Sequence, residues 1–232
     1  MNLFIDTQTT GLEESDKICS IALLEETYAH YELINEKKKI SSEASALHHI
    51  TKEMIESKPI LTESKIVQTL HKYNNTNHTL VGHNVAFDIA MLQTSGFLWK
   101  GAIIDTLRVT KHLIPECEQF SLQFLRYELR LYQKEAKVLK KYGIKNALYA
   151  YHSLSDAVVT ALLFEYLLEL CTFEEMLELT FKKVLIEKFH FGKYRGHYVE
   201  EICLNDPSYA RWLLNSSTDE DIIYSLNYYL QG

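Results

Sequence analysis

Residues 2–11 read NLFIDTQTTG, an apolar run that meets an acid and then continues into small polar residues. The apolar residues 2–5 predict a buried strand, and Asp6 is expected at its end. Side chains two positions apart in a strand share one face, so Asp6 and Gln8 are expected to point the same way. This stretch predicts a strand that delivers two polar side chains to one site.

Further strands and helices are predicted on the C-terminal side of this stretch. The other strand candidates are residues 18–24, 28–34, 79–81 and 102–104. Segments with helical spacing are residues 42–57, 61–73, a segment from about 86, and then 107–113, 121–131, 153–170 and 173–183. Strands first, followed by alternation of strands and helices, predict an α/β domain with a mixed five-stranded sheet flanked by helices.

The C-terminal quarter has a different pattern. Residues 189–196 read FHFGKYRG, and their aromatic and basic residues around two glycines predict a hairpin. Asp206 and Pro207 predict the start of a helix, because proline is favoured in the first helical turn. We expect a main domain over residues 1–175 and a small hairpin–helix extension over residues 176–232.

Composition narrows the class of protein. The 232 residues are 47% hydrophobic, which is too apolar for a disordered chain. The four cysteines form no CxxC pair, which argues against a disulfide framework or structural zinc and favours a reduced, cytoplasmic setting. We expect neither a signal peptide nor a membrane helix, since no apolar stretch reaches ~18 residues.

The net charge of −7 excludes a uniformly basic surface, but two stretches are locally basic. Residues 134–145 and residues 182–197 each contain five Lys or Arg residues against one glutamate. The first stretch is either a phosphate-binding surface or a solvated helix face. The second interleaves its charges with aromatic residues, a pattern typical of single-strand binding, unless those aromatics belong to the core.

Three acids stand out by position. Asp6 follows the first strand, Asp88 begins a helix after a strand, and Asp156 lies in an apolar helix. Taken alone, each acid has a simpler explanation, as a helix cap or as a solvated surface residue. Asp105 is expected to be a cap or turn residue. Together, converging carboxylates suit two divalent cations, and hard oxygen ligands favour Mg²⁺ or Mn²⁺.

Three segments resemble the motifs of the DEDD family of 3′–5′ exonucleases, which has the ribonuclease-H-like fold. They are DTQTTG at residues 6–11, HNVAFD at residues 83–88 and HSLSDA at residues 152–157. The tail, with FGKYRG at residues 191–196 and DPSYARWL at residues 206–213, resembles the extension of the exodeoxyribonuclease X group. The resemblance implies a metal-dependent enzyme that hydrolyses the terminal phosphodiester of DNA and releases 5′-nucleotides.

The resemblance also implies roles for single residues. The metal ligands, for two Mg²⁺ or Mn²⁺ ions, would be Asp6, Gln8, Asp88 and Asp156. The contacts to nucleic acid, with single-stranded or 3′-ended DNA preferred over RNA, would be Thr9, Leu12, His49, His83, Asn84, Phe87, Lys193 and Arg195. Leu12 would act as an apolar wedge against the terminal base, unless it is a core residue.

The chain departs from the family at two places. Gln8 replaces a glutamate, which removes one negative charge near the cations and predicts weaker catalysis; the change is either natural or engineered as a trap. In motif three, Tyr151 stands where the histidine subgroup has its histidine, and His152 stands where the tyrosine subgroup has its tyrosine. Since histidine has a pKa near ~6.5 and tyrosine near ~10, we expect His152 to be the base. The alternatives are that Tyr151 is the base or that neither side chain contacts the attacking water.

Two other functions fit these residues. A catalytically silenced protein that grips DNA ends would explain Gln8, although it would not require three retained acids. An RNA-directed 3′–5′ exonuclease would have the same fold and site, and only the tail resemblance favours DNA over RNA.

Overall fold

A five-stranded mixed sheet forms the centre of the computed structural model, which describes residues 1–145 and 148–231. Its strands are β1 (Asn2–Thr9), β2 (Ile18–Glu25), β3 (Tyr28–Leu33), β4 (Thr79–Gly82) and β5 (Ala102–Asp105). They lie in the order β3-β2-β1-β4-β5; the first three are antiparallel, whereas β1, β4 and β5 run parallel. The mixed five-stranded sheet predicted from the sequence is confirmed.

Twelve α-helices are seen in these described ranges. They are α1 (Ser42–His48), α2 (Lys52–Ile55), α3 (Lys65–Tyr73), α4 (Val85–Thr94), α5 (Thr106–Leu113), α6 (Leu122–Glu128), α7 (Glu135–Lys141), α8 (Ser153–Leu167), α9 (Phe173–Phe181), α10 (Val199–Asn205), α11 (Pro207–Ser216) and α12 (Glu220–Gln231). None of the helices in residues 1–145 and 148–231 has both the length and the apolarity that a bilayer crossing requires.

Two helices predicted from spacing are shorter than expected. The segment 42–57 is divided because His49 adopts a left-handed backbone with φ of 60°, which ends α1 before α2 begins. The segment 61–73 is divided at Ser64, whose side chain accepts the Val67 N–H at 3.1 Å and caps α3. Spacing alone did not reveal these local caps.

Strand β1 is longer than predicted, so Asp6 lies within it and not at its end. Pairing with β2 continues past the acid, with Asp6 opposite Ala22 and Gln8 opposite Ser20. The register then shifts between Gln8 and Thr9, a bulge of the kind that often re-aims side chains beside a site.

The alternation along β1 divides the core into two layers. Phe4 packs on one side of the sheet with α8, which includes Leu162. Leu3 and Ile5 pack on the other side with residues of α3 and α4. Because the pleat alternates, Asp6 faces the α8 side and Thr7 faces the α4 side. The central strand β1 thus contributes side chains to both core layers.

The C-terminal helices form their own apolar cluster. Residues of α10, α11 and α12 pack around Phe189 and Leu226. The predicted hairpin consists of a tight turn closed by one antiparallel bridge between Lys188 and Tyr198. Asp206 caps α11 by accepting the Tyr209 N–H at 3.1 Å, as the Asp-Pro start predicts.

A buried ion pair joins this cluster to the main body. Arg108 of α5 donates from Nη1 to Asp221 Oδ2 at 2.9 Å and from Nη2 to Asp221 Oδ1 at 3.1 Å. Asp221 also accepts the Val184 N–H at 2.9 Å. The carboxylate is therefore satisfied only while the C-terminal helices stay docked.

Replacing Arg108 by methionine is expected to destabilise the chain. The Asp221 side chain is 6% exposed and would lose its charge partner. We expect a cost of about 3 kcal/mol in the free energy of unfolding, and not more, because Arg108 keeps some contact with solvent. Urea unfolding followed by circular dichroism measures this loss. The control Arg211→Met changes an exposed arginine of α11 and should cost less than about 0.5 kcal/mol. Equal losses in the two variants would contradict the docking role of Arg108.

Candidate active site

Three acids from three elements lie close together beside the C-terminal half of the central strand β1, beyond its pairing with β4. Asp6 comes from β1, Asp88 from the first turn of α4 and Asp156 from the first turn of α8. Burial, together with the negative charges of Asp156 and Asp88, raises the pKa of Asp6 well above its ordinary value. Hydrogen bonds from Thr7 of β1 to Asp88 and between Ser20 of β2 and Ser153 of α8 hold both helices against this part of the sheet. The fold therefore brings together the three acids singled out in the sequence.

Each acid is held through one oxygen by a neutral donor. Thr7 donates to Asp88 Oδ1 from its backbone nitrogen at 2.9 Å and from its hydroxyl at 2.6 Å. Gln8 Nε2 donates to Asp6 Oδ2 at 3.0 Å. Gln123 Nε2 donates to Asp156 Oδ1 at 2.6 Å. Among the described residues, no other side chain donates a hydrogen bond to these three carboxylates.

The sequence analysis missed Gln123. It lies on α6, far from every motif, and its amide oxygen accepts from Arg126 Nη1 at 3.2 Å. Arg126 is itself held by Glu135, with donors at 2.6 and 3.0 Å from the two carboxylate oxygens. This chain of contacts orients the amide so that its nitrogen faces Asp156. No spacing in the sequence signals it, because it joins α6 to Glu135 of α7 and to Asp156 of α8.

Gln8 satisfies Asp6 in a way that glutamate would not. A glutamate at this position would add a fourth charge and could not donate a hydrogen bond while ionised. The amide nitrogen faces Asp6, and the amide oxygen is left as a neutral ligand. The substitution therefore lowers the repulsion among the acids and also removes part of the attraction for a cation.

The donor set suits a divalent cation in its chemistry. Three carboxylates in a partly buried site repel one another, and a positive ion would relieve that repulsion. Within residues 1–145 and 148–231, however, no group of three or more His, Cys, Asp or Glu side chains is arranged so that it could hold a metal ion. The contacts of Thr7, Gln8 and Gln123 hold the acids in this arrangement.

The loop after β1 presents Leu12 to solvent. Leu12 is 84% exposed, which excludes the alternative that it is a core residue. The loop is fixed by Asp16, which accepts from Thr10 Oγ1 at 2.7 Å and from the Glu13 N–H at 2.9 Å. Gly11 is required here, because a Cβ at this position would collide with the Asp16 carboxylate. Asp16 is thus a second positioning residue that motif spacing did not identify.

The residues of motif two have different surroundings: His83 and Phe87 are held in place by their contacts, whereas Asn84 is exposed to solvent. Both ring nitrogens of His83 are engaged, with Thr106 Oγ1 at 3.0 Å and with the Phe120 carbonyl at 2.8 Å, and burial lowers its pKa to about 4. Phe87 packs against the core layer of α3 and α4. Of the motif's polar residues only Asn84 is exposed, in a left-handed conformation with φ of 65°. A direct contact with nucleic acid is therefore available to Asn84 and not to the nitrogens of His83.

Asp105 is the cap that the sequence predicts. It accepts the Leu107 N–H at 2.9 Å at the start of α5 and the Asn84 N–H at 2.9 Å. The same carboxylate thereby holds motif two against the end of β5.

His152 and Tyr151 differ in their surroundings. The His152 ring stacks on Tyr31, with ring centroids 4.6 Å apart, and its Nδ1 is buried with no hydrogen-bond partner in the described part of the chain. Burial lowers the pKa of His152. Tyr151 is 49% exposed on a left-handed residue with φ of 57°. Which of the two acts as the base stays a prediction.

The other residues predicted to contact nucleic acid differ in how far they are buried. Thr9 is buried, and its hydroxyl donates to the Gly11 carbonyl at 2.5 Å. His49 is exposed beside buried His48, whose Nε2 lies 3.1 Å from the Thr9 carbonyl. Lys193 lies over the Tyr194 ring and 3.4 Å from Asp206 Oδ2, whereas Arg195 is exposed.

Comparison with known proteins identifies the family. An exonuclease family model (RNase_T) matches residues 3–164. The chain belongs to this exonuclease family. A second model, described as exodeoxyribonuclease X-like C-terminal, matches residues 189–217 of the exonuclease. The resemblance seen in the motifs and in the tail is confirmed.

Individual relatives agree with this assignment. The exonuclease is 28% identical over 237 residues to exodeoxyribonuclease 10 of Escherichia coli (strain K12), covering 98% of each chain. Exonuclease X in complex with 5′ overhanging duplex DNA superposes with a TM-score of 0.61 and 25% identity, over 78% of this chain and 99% of that one. Exonuclease I, at 15% identity and a TM-score of 0.52, covers 76% of this chain and 42% of its own and shows a shared fold.

These matches confirm the ribonuclease-H-like fold and, at the level of the family, a metal-dependent 3′–5′ exonuclease that binds nucleic acid. The boundary at residue 175 and the roles of single residues stay predictions.

Without metal, the exonuclease is expected to become less stable as pH rises. Burial raises the pKa of Asp88 to about 7 and that of Asp156 to about 6, against an ordinary value of 3.8. Folding therefore favours the protonated acids, and their stabilising contribution is lost as pH rises through about 6 to 7. Melting temperatures in EDTA at several pH values measure the effect, and Asp88→Asn is expected to reduce the slope. A slope unchanged by Asp88→Asn would contradict this origin of the pH dependence.

Proposed function

We propose that this exonuclease removes nucleotides from the 3′ ends of DNA, using Mg²⁺ or Mn²⁺. The observation that carries the proposal is the convergence of Asp6, Asp88 and Asp156, held by hydrogen bonds from Thr7, Gln8 and Gln123, on the strand that leads into the exposed Leu12 loop. A DNA substrate is supported by the name of the exodeoxyribonuclease relative and by the DNA in the exonuclease X complex.

The three aspartates, with the Gln8 amide oxygen, would hold the cations. When bound, the cations would stabilise negative charge on the phosphodiester oxygens. The attacking water would lose its proton to His152, which is neutral near pH 7 because burial lowers its pKa. Water adds to phosphorus and the bond to the 3′ oxygen breaks, which yields a 5′-nucleotide and a shortened strand.

The exposed residues around the acids would position the strand end. Leu12 would pack against the terminal base, since its apolar side chain is held out in solvent by a loop that Asp16 fixes. Asn84, exposed at the start of α4, would contact the sugar–phosphate backbone. His49 lies exposed at the end of α1, whose buried His48 contacts Thr9 of the same strand as the acids.

A silenced protein that binds DNA ends is the second candidate. The Gln8–Asp6 hydrogen bond favours it, because this contact satisfies Asp6 without any cation. The two candidates differ in whether the chain that carries Gln8 hydrolyses DNA itself, or only after Gln8→Glu restores the fourth carboxylate.

Gln8→Glu is expected to raise the rate of nucleotide release by at least about tenfold, equivalent to about 1.4 kcal/mol of transition-state stabilisation. The added charge strengthens cation binding between the acids. Release from 3′-labelled single-stranded DNA with Mg²⁺ or Mn²⁺ measures the change. The control Gln93→Glu adds the same charge on the exposed part of α4 and should leave the rate unchanged. If neither the native chain nor Gln8→Glu releases nucleotides with either metal, the exonuclease proposal is wrong.

His152→Ala is expected to lower kcat by about 100-fold or more, and Tyr151→Phe by much less, because only His152 would accept the proton. Both are best measured in the Gln8→Glu background, where the rate is higher. Thermal melting checks that loss of the stack on Tyr31 does not unfold the chain. A larger loss in folded Tyr151→Phe than in folded His152→Ala would assign the base to the tyrosine.

A further inference from the structure

A groove of about 620 Å³ lies between motif two and the C-terminal turn. Its walls include Asn84 from the start of α4, Lys111 and Phe120 from the main body, and Phe191 and Arg195 from the FGKYRG turn. Neither part of the chain forms this groove alone. An α-helix rises about 1.5 Å per residue, so Asn84, which lines the groove, is about 6 Å from Asp88 along the axis of α4.

Two cations line the groove without a carboxylate partner. Within residues 1–145 and 148–231, neither Lys111 nor Arg195 forms an ion pair. Lys193, two residues from Arg195, is instead committed to Asp206 and to the Tyr194 ring. The turn thus uses one cation to hold itself together and leaves the other available to a ligand.

Two acids, Asp219 and Glu118, also line the groove, and both are exposed to solvent. Asp219 Oδ1 accepts the N–H groups of Asp221 at 2.9 Å and Ile222 at 3.1 Å, so its charge stabilises the start of α12. Glu118 is exposed to solvent, where its charge is strongly screened.

Aromatic rings stand beside the cations. Phe191 is 40% exposed, although its neighbour Phe189 is buried in the C-terminal cluster. Phe120 also lines the groove and packs edge-on to His190, with ring centroids 5.2 Å apart. Unpaired bases stack on exposed aromatic rings, and free cations contact the adjoining phosphates, which is the usual combination for gripping a single strand.

We propose that this groove binds the unpaired strand just upstream of the 3′-terminal nucleotide. Phe191 stacks on a base, and Arg195 and Lys111 contact phosphates. The C-terminal unit is thereby part of the substrate site, and the enzyme holds long strands more tightly than short ones. This inference rests on the proposed function, because the acids define where the 3′ end lies.

The experiment is equilibrium binding of 5′-fluorescein-labelled DNA to the full chain in EDTA. A thymidine dodecamer reaches the groove, whereas a trimer with the same 3′ end is bound mainly beside the acids. Arg195→Ala and Phe191→Ala are each expected to weaken dodecamer binding at least about fivefold and trimer binding less than twofold. The controls Arg211→Ala and Tyr228→Ala remove an exposed arginine and an exposed tyrosine that do not line the groove.

Salt dependence separates the two kinds of contact. Arg195→Ala should reduce the slope of log Kd against log salt concentration by about 0.7, the value for one phosphate on a single strand. Arg195→Lys should keep the slope, and Phe191→Ala should leave it unchanged. A uridine RNA dodecamer is measured in parallel, and losses on both polymers support a contact with phosphates and base faces.

Other outcomes overturn the inference. If the native chain binds both oligomers but the folded groove variants bind the dodecamer no more weakly than the controls, the groove is not a strand site and the proposed function is unaffected. Equal losses on trimer and dodecamer also overturn it. If the native chain binds neither oligomer, the proposed function fails together with this inference.

Discussion

The electrostatic cost of bringing three carboxylates together is the constraint around which this structure is arranged. Asp6, Asp88 and Asp156 come from elements on both sides of one sheet and meet beside the C-terminal half of β1, beyond its pairing with β4. Like charges in a partly buried site repel strongly, so the acids persist there only because neutral donors satisfy them and a cation can neutralise them. The fold therefore holds a site that is unfavourable without a ligand.

The donors around the acids also determine how the chemistry is tuned. Thr7 fixes Asp88 through two hydrogen bonds, and Gln123 fixes Asp156 through an amide that Arg126 orients. Gln8 exchanges charge for a hydrogen bond to Asp6. The result is a site with less negative charge than the family motif provides, in which the protein itself supplies part of the stabilisation that a cation would otherwise supply.

The C-terminal unit is connected to this site by its docking. Arg108 belongs to the helix that Asp105 caps, and Asp105 also holds the Asn84 backbone. The same helix bears Lys111, which faces the FGKYRG turn across the groove. One element thus links motif two, the ion pair with Asp221 and the proposed strand site, so the position of the C-terminal unit and the position of the substrate depend on the same contacts.

The local pattern of the chain was enough to predict the strands, the Asp105 cap and the three acids, because each depends on periodicity or on neighbours a few residues apart. Helix breaks at His49 and Ser64 were missed, since they depend on single caps within an otherwise helical pattern. The engagement of both His83 nitrogens, the support of Asp156 by Gln123 and Arg126, and the groove shared with Arg195 were decided only by the tertiary structure. Each of these joins segments remote in sequence, and only packing brings their polar atoms within hydrogen-bond distance.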